Sequence, residues 1–168
     1  MLNASVSVQI KGDYLAAADL GEVKQEVSKR ALLALSSGVV ADQADLIFAD
    51  QRTLAASGTE DIDLAGTLLD AFGAVINFAK IKAILITAAK ANTNNVVVGG
   101  KGATGYVGPF GANTHTIAIP PGGVFLIAGP ALAGLGAVGA GATDLLKILN
   151  SAAGTPVTYD IIIIGTSA

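Results

Sequence analysis

The sequence contains no cysteine and no tryptophan, a single histidine, and no Asp or Glu between Asp70 and Asp144. Without cysteine there is no disulfide framework, no thiolate nucleophile and no Cys-ligated zinc or iron–sulfur cluster. With aromatics at 5% of residues, neither the ring platforms of a carbohydrate groove nor a base-stacking surface for single-stranded nucleic acid is provided. Positive charge is scarce too. Ten Lys and Arg against thirteen Asp and Glu leave a net charge of −3, so no basic field draws nucleic acid. The single histidine, His115, lies in "GANTHTIAI" at the lip of an expected strand. No G-x-S-x-G elbow accompanies any serine, so His115 reads as a hydrogen-bonded loop residue or as a general base with no nucleophile beside it.

The missing acids also decide the one cofactor motif. Gly100, Gly102 and Gly105 form a G-x-G-x-x-G after the apolar run "NNVVV". A dinucleotide site needs a helix opening on those glycines and an acid about 20 residues on for the ribose. Pro109, flanked by Gly108 and Gly111, leaves no room for a first helical turn, and the next acid is Asp144. Lys101 is followed by Gly102 and not by Ser or Thr, which removes the P-loop reading as well. The stretch is a glycine-rich connection between strands, and no cofactor is expected.

Glu60, Asp61 and Asp63 form the one acidic cluster. In a strand Asp61 and Asp63 share a face on which a hard cation could sit, but the spacing of a calcium loop is absent. Solvated edge charges that deter sheet-to-sheet aggregation explain them equally. No metal site and no catalytic residue are assigned.

What is present is hydrophobic and glycine-rich: 168 residues, 52% hydrophobic, 14% charged, with 21 Gly. That is enough chain for one domain with a sizeable core, and the composition leans to β structure. "ASVSVQI" places Val6, Val8 and Ile10 on one face. "ADLIFADQRTL" and "TEDIDLAG" read as a pair around the Ala55–Gly58 connection. "INFAKIKAILITAA" slips phase at Ala79–Lys80, which predicts a bulge. "NNVVVGG", "HTIAIP", "GVFLIAG", "DLLKILN" and "VTYDIIIIG" follow at the short spacing of an antiparallel sandwich, and Ile161 to Ile164 require burial on both faces.

One segment departs from this pattern. Leu20, Val23 and Val27 recur at helical spacing, so residues 20–30 read as a short helix or charged arm, followed by a strand at 31–36. The N-terminus has no basic start followed by an apolar block, so no secretory signal is expected. Residues 123–142 are uncharged and long enough on paper to cross a bilayer, but six glycines and Pro130 within them favour strands and apolar loops over a membrane span. The fold expectation is all-β: an antiparallel, jelly-roll-like β-sandwich over residues 41–168, with residues 1–40 as an N-terminal arm or first strands and at most one short helix.

The run "ADQADLIFADQRTLAASGTEDIDLAGTLLDAFGAVINFAKIKAILI", then "NTNNVVVGG", "IPPGGVFLIAGP" and "ILNSAAGTPVTYDIIIIGTSA", resembles small structural proteins of tailed bacteriophage virions. The likeness covers residues 41–168 and carries no catalytic residue. It implies a non-enzymatic subunit on the capsid surface, assembled in the host cytoplasm: a decoration or cement protein whose partner is the major capsid protein, or the base of a head fibre. A receptor- or glycan-binding module on the virion surface is the alternative. By analogy with decoration proteins the chain forms a closed homo-oligomer, with a trimer favoured. Acid-rich residues 42–70 and acid-free residues 71–143 suit subunits that meet through opposite charges. Interface residues are expected in two places: Val6, Val8 and Ile10 of the arm Met1–Tyr14, adding a strand to a neighbour, and Ala131, Leu132, Leu135 and Val138 of the apolar loop Gly129–Gly141. The plainer readings are a first strand of the chain's own sheet and an ordinary core segment.

Overall fold

Alternation of apolar and polar residues governs the chain from end to end, and a computed structural model describing residues 1–168 shows thirteen strands. They are β1 (Ala4–Ala18), β2 (Gly21–Ser37), β3 (Gln43–Ala44), β4 (Leu46–Leu54), β5 (Thr59–Asp63), β6 (Ala65–Leu69), β7 (Val75–Asn77), β8 (Lys80–Ala88), β9 (Val96–Gly99), β10 (Thr116–Ile119), β11 (Val124–Ala128), β12 (Leu145–Asn150) and β13 (Val157–Thr166). The only helical turn is a 3-10 turn at Gly108–Phe110.

Two four-stranded antiparallel sheets, ordered β11-β8-β13-β4 and β10-β9-β12-β5, face one another. The successive pairs β4/β5, β8/β9, β10/β11 and β12/β13 each cross from one sheet to the other. This is jelly-roll topology. Period-two side-chain alternation sends Tyr159, Ile161 and Ile163 of β13 and Ile84 and Ile86 of β8 inward, where they meet Val98, Leu146 and Ile148 of the opposite sheet. β6 and β7 form a separate small hairpin that contributes Leu68 and Ile76 to the same core.

The expected hairpin of β4 with β5 does not form. β4 pairs with β13, Phe48 opposite Ile163, and β5 pairs with β12, Ile62 opposite Leu146. Between them Gly58 N–H donates to Ala55 O at 2.8 Å and Ser57 takes a φ of 55°, which folds the chain over the open edge of the sandwich. Both strands carry an inward apolar row, and facing the core from opposite sheets buries both rows. A short connection by itself fits a hairpin and a sheet-crossing corner equally.

The phase slip in the Ile76–Ala89 segment is real, but it lies three residues further on. Ile164 pairs with Ala83 and Gly165 with Ile81, leaving Lys82 as the extra residue. Lys82 is fully buried. Its ammonium donates to Val40 O at 3.4 Å, to Leu132 O at 3.3 Å and to Ala131 O. Burial, followed by the neighbouring charge of Lys80, holds its pKa below the usual lysine value, while Asp42 opposes the shift. The side chain ties the 38–42 segment and the 129–136 loop to the sheet.

No helix forms at 20–30. β1 and β2 make one antiparallel hairpin, from Ala4 opposite Leu35 to Ala18 opposite Gly21, closed by the two residues Asp19 and Leu20. Val23 and Val27 lie four residues apart, a spacing that keeps one face in a strand as well as in a helix, so the local pattern did not separate the two. The root of this ribbon lies on the outer face of the β11-β8-β13-β4 sheet. Leu35, Ala44, Ala83 and Ile164 form a second apolar cluster there, with Ala4, Val6, Leu33 and Ile162 half-buried against it. The cover that Ile162 and Ile164 require is therefore supplied by the chain's own arm.

Candidate interaction surface

Each residue singled out for chemistry has a structural partner. Asp61 forms an ion pair with Lys101 at 2.5 Å, and Asp63 accepts from Ala65 N–H at 3.0 Å. Glu60 accepts from Arg52 Nη1 at 2.9 Å and from the Tyr159 hydroxyl. Burial, reinforced by that carboxylate, pushes the Tyr159 phenol far above its usual range. Arg52 also meets Asp50 at 3.1 Å. This network joins edge strands β4 and β5 across the mouth of the sandwich. Removing its centre leaves a buried hydroxyl and a guanidinium short of an acceptor, so Glu60→Ala should cost about 2 kcal/mol in denaturant unfolding. Glu60→Gln, which keeps one carbonyl oxygen, should cost less. Equal stability of Glu60→Ala and the parent protein would show the network to be idle.

His115 Nδ1 lies 2.8 Å from Phe110 O, within a loop. The glycines before it serve backbone approach. Gly99 has a φ of 98°, and a Cβ there would stand 2.5 Å from His115 O, so only glycine lets β9 run this close to the 110–115 loop. Asp144 is buried and accepts from Gly141 N–H, while Asp70 holds its own turn.

The two expected interface segments have different environments. In the 129–141 loop, Leu135 and Val138 pack against the main core, anchored by Leu135 N–H to Ile81 O at 2.7 Å and Val138 N–H to Ala79 O at 2.9 Å. Ala131 and Leu132 face outward. In the arm, Val6 is half-buried at the root, whereas Val8 and Ile10 are exposed, Ile10 to 70%.

The arm also contains residues that sequence reasoning did not single out. β1–β2 register places Val6, Val8, Ile10, Tyr14 and Ala16 on the same face as Leu33, Ala31, Val27 and Val23, with Lys29 opposite Ile10 and Gln25 opposite Tyr14 as its polar members. The other face carries Gln9, Lys11, Asp13, Glu22, Lys24, Glu26 and Arg30, together with the exposed Leu15 and Leu32. The visible signal was the odd-numbered series Val23, Gln25, Val27, Lys29, Ala31, Leu33, Leu35, which is strand-periodic throughout.

A smaller apolar projection stands at the β6–β7 turn. Phe72 is 96% exposed, with Leu69 and Val75 on either side. Asp70 fixes this turn by accepting from Phe72 N–H at 2.8 Å and Ala74 N–H at 2.9 Å. Beside it, Leu2, Leu46 and Ile47 line a shallow groove. No helix is long and apolar enough to cross a membrane. Comparisons with family models, curated proteins and solved structures return no match.

Proposed function

We propose that this chain is a non-enzymatic structural subunit of a phage virion that decorates the capsid and reinforces it by bridging neighbouring major capsid subunits. The observation that carries this reading is the division of labour in the fold. The acids Glu60, Asp61 and Asp63 are engaged inside the chain, while large apolar side chains stand exposed on a projecting ribbon and on the Phe72 turn. A surface of that kind serves assembly. Support also comes from the resemblance of residues 41–168 to virion proteins and, as analogy at the level of fold alone, from the use of jelly rolls in viral shells.

Contact with the shell is assigned to the body: the Phe72 turn with Leu69 and Val75, and Leu132 on the 129–141 loop. Each copy need supply only a few kcal/mol, because many copies act in parallel on one particle. Purified protein should therefore add back in stoichiometric amount to expanded capsids that lack it, and raise their resistance to heat. Phe72→Glu should prevent attachment, since an unpaired carboxylate in a dry contact costs several kcal/mol, while leaving the subunit folded because the side chain touches no core. Capsids equally stable with and without the protein, together with adsorption of the protein to host polysaccharide, would replace this reading with the head-fibre or receptor-binding alternative.

A further inference from the structure

We infer that the largely apolar face of the β1–β2 ribbon packs against the same face of the ribbon of a second copy of this chain, forming the centre of a closed homo-oligomer. The argument starts from register. Pairs Ala4/Leu35 and Val6/Leu33 dock on the chain's own sheet, and the same face continues outward through Val8/Ala31, Ile10/Lys29, Gly12/Val27, Tyr14/Gln25 and Ala16/Val23, interrupted only by the polar Lys29 and Gln25, with no residue between Ser7 and Leu32 buried. From Val8 to the turn this is ten further residues on β1, about 35 Å at the usual rise of a strand.

An isolated two-stranded ribbon is marginal in water. This one has an apolar face that needs cover as soon as the chain folds. A copy of the same chain is the partner present at that moment and in equal amount, which favours self-association over a shell protein met later. The surface area agrees. The chain exposes 8971 Å², against about 7,600 Å² for a compact monomer of its mass, an excess of about 1,400 Å². One face of the ribbon is about half of that, close to the roughly 800 Å² each partner loses in a standard interface.

The face also has matching relief. Gly12 leaves a notch with nothing within 4 Å of where a Cβ would be. Tyr14, 72% exposed, projects two residues away on the same side. A notch and a ring on one surface let two copies interlock. The opposite face carries most of the ribbon's charge, with Leu15 and Leu32 its only large apolar side chains: Lys24 bridges Asp13 at 3.3 Å and Glu26 at 2.5 Å, neutralising two acids that the register sets opposite each other.

The test uses sedimentation of the full chain at micromolar concentration and needs no capsid, so its outcome is independent of the virion reading. Wild type should run as a discrete closed oligomer, of two or three copies. Val23→Lys with Val27→Lys, and separately Val23→Glu with Val27→Glu, both positions facing small residues on β1, should each weaken association by more than about a thousand-fold and sediment as monomers with an unchanged β spectrum. Mixing the two variants should restore association, because lysines on one face then meet glutamates on the other. Leu15→Lys, on the opposite face, should leave the mass unchanged. A monomeric wild type, a Lys variant that keeps the wild-type mass, or two monomeric variants that stay apart when mixed would each overturn the inference. The last result would place the ribbon on a partner's body and not on its ribbon.

Discussion

Asn150→Leu should cost about 2–4 kcal/mol of folding stability. The residue is 1% exposed at the end of β12 and joins three loops. Its Nδ2 donates to Ala55 O at 3.0 Å and Thr155 O at 2.8 Å, and its Oδ1 accepts from Asn94 Nδ2 at 3.0 Å and Ala152 N–H at 3.4 Å. Leucine is close to asparagine in size but satisfies none of these groups. Four hydrogen bonds worth about 1 kcal/mol each are lost, and water reaching the exposed Ala55, Ala152 and Thr155, together with the added apolar surface, offsets part of the sum.

Asn150→Asp separates hydrogen bonding from packing. It places a carboxylate against the Ala55 and Thr155 carbonyl oxygens, so the ionised form is disfavoured and the folded-state pKa of the introduced group rises above its unfolded value. Stability is then lost as pH rises through the folded pKa and recovered as pH falls toward the unfolded one. The deficit relative to wild type should therefore be larger at pH 7 than near pH 4, measured by urea unfolding. A loss below about 1 kcal/mol for Asn150→Leu would mean that the three loops hold their positions without this hub.

Replacing Gln9–Arg30 by Asn-Gly should convert the protein to a folded monomer. The pair Val8/Ala31 stands an even number of residues from Ala18/Gly21, the pair that flanks the natural turn, so the shortened ribbon closes in the same hydrogen-bonding phase. Everything removed is exposed, and everything that roots the arm is kept: Leu35, Leu33, Val6 and Ala4 on the sheet, and Asp42 N–H on Pro130 O at 2.8 Å. The expected readouts are a native β spectrum, one cooperative melt and a melting temperature independent of protein concentration. The wild-type temperature should rise with concentration, because association stabilises the folded form by mass action. A shortened chain that aggregates or melts without cooperativity would show that the ribbon belongs to the folding unit of the sandwich.

The sequence determined on its own what depends on neighbours along the chain. From β4 onward the principal strands were legible, because a half-buried strand imposes period two on a handful of adjacent residues and Gly, Pro and Asn mark the turns: Val96–Gly99, Thr116–Ile119 and Val157–Thr166 all form where the alternation placed them. The all-β sandwich follows from that count of short strands. The glycines at 99–102 were legible as a connection for the same reason, since Pro109 and the absence of a helix-forming run are local facts.

Only the tertiary structure decided which strand lies beside which, and every difference from expectation is of that kind. β4 and β5 are adjacent in sequence yet form edges of opposite sheets. Lys82, one charge among several, became the buried bulge where β8 runs so close to Gly165 that a Cβ there would stand 2.3 Å from Lys80 O. Leu135 and Leu132, three residues apart in one apolar loop, went respectively to core and solvent. The ribbon shows the reason most directly. Val23 and Val27 satisfy helix and strand periods alike, and the choice was made by fifteen cross-strand partners on β1. Local alternation is set by the geometry of one chain segment, whereas pairing is set by the burial and hydrogen bonds that distant segments offer one another, and those energies exist only once the chain has closed on itself.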